Sequence, residues 1–298
     1  MRSLVWNLRH NPVLRKRAMQ TDEQQCENQR IQLENLHTSI KKPEPTAVRY
    51  DNGDLYKPSG IIGGNGVDAD SNWFGKTRII SLNSMIEKHI LITLPHSPLV
   101  TLSVVLYQPL PTTTTNSTQK SALLLTSYKY EYQRGLIPLY KDIMNGLTAA
   151  GISCVQMRFT SKPENLEYCI QDILEVIEKV KRDYGIEKFV IAGWSFAGAI
   201  VLRIAASKRS RLIYGCVTLG IQSTEPISME TMRKISPLPI LIIHGYRDNQ
   251  ADIRISKELY CNALAPKGIY LPFSVDHQFI VKENTTKKIV NFCKNAFD

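Results

Sequence analysis

The chain is 298 residues long and 43% hydrophobic, enough to bury one large core with an appendage. A formal net charge of +10 and a pI near 9.3 raise nucleic acid or an anionic membrane as partners. The basic residues are dispersed, with only Arg15-Lys16-Arg17 and Lys208-Arg209-Ser210-Arg211 as small clusters and no nucleic-acid-binding motif; the charge reads as a weak bias toward acidic surfaces, and nucleic acid is not expected as a partner.

Residues 1–75 read as a basic, polar N-terminal extension, partly flexible, ahead of a folded domain over 76–298. Arg2, Arg9, Arg15, Lys16 and Arg17 precede the first acidic residue, Asp22. The segment is poor in serine, so a solvated helix is preferred to a mitochondrial transit peptide; a cytoplasmic location is expected, with the mitochondrion as the alternative. Pro43, Pro45 and Pro58 mark a linker or surface strap. Gly63-Gly64-Asn65-Gly66 and Gly75-Lys76-Thr77 are read as turns, because Asp70 stands where a phosphate loop needs its first glycine.

From Ile79 the pattern becomes that of a sheet protein. Ile79–Leu94 and Thr101–Gln108 read as antiparallel strands joined around Pro95-His96-Ser97-Pro98, and Pro111–Thr118 as a low-complexity loop. Then strand runs alternate with helical patterns: strand Leu123–Leu125, helix Leu136–Ala150, strand Cys154–Phe159, helix Leu166–Tyr184 and strand Phe189–Ala192. A helix follows from Phe196, then strand Ile213–Leu219, a short helix Met229–Ile235 and strand Pro239–Gly245. Helix Ile253–Leu264, strand Gly268–Phe273 and helix Thr285–Ala296 complete the chain. Such alternation predicts βαβ units and a mostly parallel sheet, whose strands are continuously apolar because both faces are covered. No apolar stretch has the length of a membrane span. The cysteines, at 26, 154, 169, 216, 261 and 293, form no CxxC pair and are expected to be reduced, with Cys154 and Cys216 as small core residues on strands.

One junction carries chemistry. Phe189-Val190-Ile191-Ala192-Gly193-Trp194-Ser195-Phe196-Ala197-Gly198 runs from a buried strand into a helix through a serine, in a G-x-S-x-A pattern. At such a turn small neighbours let two backbones approach, and the hydroxyl is thrust out beside helix N-terminal amides. A serine needs a base and an orienting acid, and in this architecture the order is Ser, then Asp or Glu, then His, each past a strand end. Asp248 follows strand Pro239–Gly245 and His277 follows strand Gly268–Phe273, so both stand in the expected places. Other readings compete. Ser195 could be an ordinary helix cap, His277 a loop histidine paired with Asp276, His244 a rival base, Asp252 a rival acid that looks like the cap of the helix from Ile253, and Asp276 a weaker rival acid.

Together, Ala122–Thr126, Leu147–Phe159, Gly193–Gly198, His244-Gly245 to Asp248 and Asp276-His277 resemble the dienelactone-hydrolase-like branch of the α/β-hydrolases, over about residues 100–298. The resemblance implies an eight-stranded, mostly parallel sheet with helices on both faces, a covalent acyl-serine intermediate, and neither metal nor cofactor. It also implies an oxyanion hole made by the amide of Phe196 and by a second amide from the loop after the third strand, here Ser127 or Tyr128. That loop, Thr126–Gly135, is bulky and lacks the paired glycines of the branch, which leaves slow turnover or a non-catalytic binding protein as the alternative. Only Gly220–Leu238 separates Leu219 from the next strand, too short for a cap domain. An open cleft for short acyl esters, thioesters or peptide-like substrates is therefore expected. The expected function is hydrolysis of a carboxylic ester or related acyl bond, with a peptidase or acyltransferase as a variant on the same three residues.

Overall fold

A computed structural model describes residues 77–80, 85–94, 97–110, 120–128, 136–159, 165–222, 227–264, 266–282 and 284–298. The basic N-terminal segment, the proline-bearing stretch, both glycine-bearing stretches apart from Thr77, Cys26 and the threonine-rich segment lie outside these residues.

The elements in chain order are β1 (Thr77–Ile80), β2 (Met85–Leu94), β3 (Ser97–Pro109), β4 (Ser121–Tyr128), α1 (Leu136–Ala149), β5 (Ser153–Phe159), α2 (Leu166–Tyr184), β6 (Lys188–Trp194), α3 (Phe196–Ser207), β7 (Ile213–Leu219), α4 (Met229–Ile235), β8 (Ile240–Ile243), α5 (Ile253–Asn262), β9 (Lys267–Tyr270) and α6 (Thr285–Phe297). Among the described residues they form one sheet in the order β1-β2-β3-β5-β4-β6-β7-β8-β9. From β5 to β9 every pairing is parallel, whereas β1, β2 and β3 are joined antiparallel to one another and to β5. The eight expected strands are β2 to β9, with β1 an addition. The run Ile79–Leu94 is divided between β1 and β2, which pair with each other; in sequence, the polar Ser81, Asn83 and Ser84 interrupt it.

Alternation of side chains divides the buried residues of the central strands between two cores. On β4 and β6, Ala122, Leu124, Phe189 and Ile191 face a core closed by α2, α3, α4 and α5, while Leu123, Leu125, Val190, Ala192 and Trp194 face one closed by α1 and α6. Both faces are covered, which is why these strands read as unbroken apolar runs. Helix α2 shows how local signals set an element. Asn165 accepts from the Tyr168 N–H at its start, Cys169, Ile173, Val176, Ile177 and Val180 make its buried stripe, and Gly185 at φ 69° ends it.

Three boundaries fall short of expectation. Strand β8 ends at Ile243, so His244 and Gly245 lie beyond it. Helix α5 stops at Asn262, where Ala263 is already extended. Strand β9 stops at Tyr270, its last ladder partner being the final residue of β8, Ile243; Pro272 has no N–H to continue a ladder. Between β7 and β8 the described residues hold one short helix, α4, and no large cap. No helix among the described residues is long and apolar enough to cross a membrane. The loop carrying Asp248, after β8, and the loop carrying His277, after β9, open at the same end of the sheet as the β6–α3 turn.

Candidate active site

The β6–α3 junction is a tight elbow. A Cβ added to Gly193 would lie 2.2 Å from the carbonyl oxygen of Ala197, so only glycine fits. Ala197, where the expected pattern has its second small residue, is fully buried with its methyl accommodated. Ser195 has φ 55° and ψ −122°, a conformation unusual for a residue with a Cβ, and strain of this kind is characteristic of a nucleophile turn. Although it stands at the head of α3, its side chain caps nothing, so the helix-cap reading fails. Its backbone is pinned instead: its N–H donates to Leu219 O, and its carbonyl accepts from Gly198 and Gln222.

Facing the hydroxyl, His277 Nε2 lies 3.2 Å from Ser195 Oγ, and Nδ1 lies 2.7 Å from Asp248 Oδ2. A carboxylate only accepts, so the proton sits on Nδ1 and the lone pair of Nε2 is turned to the serine. Ser195 and His277 are 2% and 3% exposed. Asp248 Oδ1 accepts from the N–H groups of Gln250 and Ala251, at 2.9 and 2.8 Å. Burial on its own would raise this carboxyl, but the hydrogen bonds from His244, His277 and the two backbone amides hold it well below the usual carboxylate range. The structure thus brings Ser195, His277 and Asp248 together, and the group can pass a proton from a hydroxyl to an imidazole held by a fixed anion.

Phe196 opens α3, so its N–H belongs to the helix N-terminus beside Ser195. Ser127 and Tyr128 end β4. The ladder from β4 to β6 stops at Thr126↔Gly193, whereas that from β4 to β5 continues to Tyr128↔Phe159. The strands therefore part on the side of the elbow, beside Ser127 and Tyr128. Thr126 Oγ1 donates to Ala192 O and the Tyr140 hydroxyl to Thr126 O, fixing this strand end. Residues 129–135, most of the bulky loop, lie outside the described residues.

Four further residues belong to the site and follow from no spacing rule. Gly220, at φ 52°, lies beneath the Asp248–His277 pair, where an added Cβ would be 3.2 Å from Asp248 Oδ2 and 3.3 Å from His277 Nδ1. Gly245 lets the two loops pack back to back, since a Cβ there would fall 2.3 Å from Val275 O. Trp194 Nε1 donates to the carbonyl of His277 at 2.8 Å, tying the base to the elbow. Ser195 Oγ also lies 3.3 Å from Gln222 Oε1. Of the four, only the glycines carry a sequence signal, as small residues just past the ends of strand runs. Tyr246 and Phe273, both well exposed, stack at 5.3 Å and join the acid loop to the base loop.

The rivals separate cleanly. Asp252 caps α5 through the Arg254 N–H, and Asp276 accepts from the Ile280 N–H. His244 is fully buried behind Asp248, 3.2 Å from Oδ2. Its Nδ1 meets Ser256 Oγ at 2.7 Å and its Nε2 meets Ala251 O at 3.1 Å. Cys154, Cys169, Cys216, Cys261 and Cys293 form no disulfide among the described residues.

A family model described as the alpha/beta hydrolase fold matches residues 156–239, a span that includes the elbow. No curated protein sequence matches the chain. Among solved structures, it is similar to Est1E from Butyrivibrio proteoclasticus, with TM-score 0.57 and 14% identity, covering 70% of this chain and 98% of that one. It is similar to a cold-adapted esterase from an Arctic intertidal metagenomic library, with TM-score 0.56 and 13% identity, covering 76% of this chain and 100% of the other. A third is a serine hydrolase without lid from Xanthomonas campestris, with TM-score 0.52 and 14% identity, covering 70% and 93%. The chain has the α/β-hydrolase fold.

Proposed function

We propose that this α/β-hydrolase-fold protein is a serine hydrolase that cleaves a carboxylic ester or related acyl bond through an acyl-serine intermediate. The observation that carries the reading is the continuous line from Ser195 Oγ to His277 Nε2, at 3.2 Å, and from His277 Nδ1 to Asp248 Oδ2, at 2.7 Å. Oγ attacks the acyl carbon while its proton passes to Nε2, and Asp248 stabilises the imidazolium that forms. The oxyanion is met by the amide of Phe196 and by that of Ser127 or Tyr128. Collapse expels the alcohol or thiol, which takes the proton from Nε2, and water repeats the sequence to release the acid.

Esterases and a lidless serine hydrolase among the similar structures support an ester substrate and an accessible cleft. The short β7–β8 connection supports small acyl groups over long lipid chains. Five free thiols among the described residues support a reducing compartment, hence the cytoplasm.

A fluorophosphonate probe tests the reading. The wild type is expected to be labelled, Ser195→Ala not at all, and His277→Ala and Asp248→Asn more slowly by about a thousandfold or more. A folded wild type that resists the probe would instead favour a non-catalytic binding protein, and labelling that persists in Ser195→Ala would remove the nucleophile. Acetyl and butyryl esters are expected to turn over faster than long-chain esters.

A further inference from the structure

The hydrogen-bonded line does not end at Asp248. Behind the carboxylate, His244 Nε2 lies 3.2 Å from Oδ2 and 3.1 Å from the carbonyl oxygen of Ala251. Both neighbours only accept, so Nε2 carries the proton and shares it between them. Nδ1 is then a lone pair, and the Ser256 hydroxyl, 2.7 Å away at the first turn of α5, donates to it. The side chains of His244, Asp248 and Ser256 are all completely buried. The two oxygens of Asp248 thus meet four donors, two backbone N–H groups on Oδ1 and two imidazole N–H groups on Oδ2.

We infer that His244, its tautomer set by the acceptors Asp248 and Ala251 and its ring braced from behind by Ser256, is a positioning residue that fixes the rotamer of Asp248 and so aims His277 at Ser195. The inference rests on the proposed serine-hydrolase reading for its effect on rate. A carboxylate held on Oδ1 alone can rock about that edge, carrying Oδ2 away from His277 Nδ1. The second imidazole closes the other edge. Without it, the remaining contact of His277 is made over a range of geometries instead of one.

Two substitutions dissect the contact, because asparagine and glutamine amides imitate different ring nitrogens. His244→Gln reaches the place of Nε2 and keeps a donor on Asp248. His244→Asn reaches the place of Nδ1 and keeps a partner for Ser256 but loses Asp248. With fluorophosphonate and a short acyl ester, His244→Asn is expected to lower the labelling rate and kcat about ten- to a hundredfold with KM unchanged, while His244→Gln stays within about threefold of wild type. A role in stability alone would leave the two variants equal in rate once both are folded. Equal rates in folded variants overturn the inference, whereas a folded wild type that is never labelled overturns the serine-hydrolase reading instead. A second arm needs no turnover and no variant: long-range proton–nitrogen NMR spectra of the wild type should show His244 protonated on Nε2 only. Protonation on Nδ1 with Nε2 bare would overturn the inference whatever the rates.

Discussion

Ser195 Oγ stands between two acceptors, His277 Nε2 at 3.2 Å and Gln222 Oε1 at 3.3 Å, and has a single proton to give. Any hydroxyl turned to Gln222 is not turned to the base. Gln222→Ala is therefore expected to raise the fluorophosphonate labelling rate about two- to tenfold, the range of one neutral hydrogen bond, read in a time course at fixed probe concentration. Trp194 acts in the opposite sense. Trp194→Phe keeps an aromatic ring but deletes the donor to the His277 carbonyl; it should cost about 1 kcal/mol in denaturant unfolding and slow labelling. Ser195, Asp248 and His277 are legible in the sequence because each follows an apolar strand run, and strand ends are where a sheet of this kind presents side chains. Gln222 and Trp194 are not. Gln222 reaches the serine only because its own N–H is bound to the Ser195 carbonyl, a contact across 27 residues that no local pattern encodes.

At the scale of elements, the site depends on two close approaches. Gly193 lets β6 turn into α3, and Gly245 lets the acid loop lie against the base loop. In each case a Cβ would strike backbone, which cannot swing aside, so Gly193→Ala and Gly245→Ala should each destabilise the fold by several kcal/mol; unfolding in urea measures this. The core strands were readable as strands for the reason they are stable: covered on both faces, they carry no polar alternation. The sheet edges were less so. The run Ile79–Leu94 is shared between β1 and β2, and apolarity alone does not say where one strand gives way to the next. The thiols of Cys154 and Cys216, on β5 and β7, are pushed up to about 12 by burial. Among the described cysteines, only exposed Cys261 should react with a thiol reagent in the native protein, and peptide mapping would show the others modified only on unfolding.

For the molecule as a whole, the depressed carboxyl of Asp248 links the site to acid stability. Its folded value lies below its unfolded value, so the stabilisation is complete above the ordinary aspartate pKa of about 4 and is lost as pH falls from there toward the folded value. Wild type should therefore melt above Asp248→Asn near neutral pH. That gap should narrow steadily below about pH 4, as followed by circular dichroism.

The order of parts along the chain has a consequence in time. The elbow serine precedes the histidine that faces it by 82 residues. At a synthesis rate of about 5–20 residues per second, Ser195 is laid down about 4–16 seconds before His277 exists. Throughout that interval the growing polypeptide holds the elbow serine without the histidine that faces it, so the Ser195–His277 contact can form only after the last strand and its loop have been made.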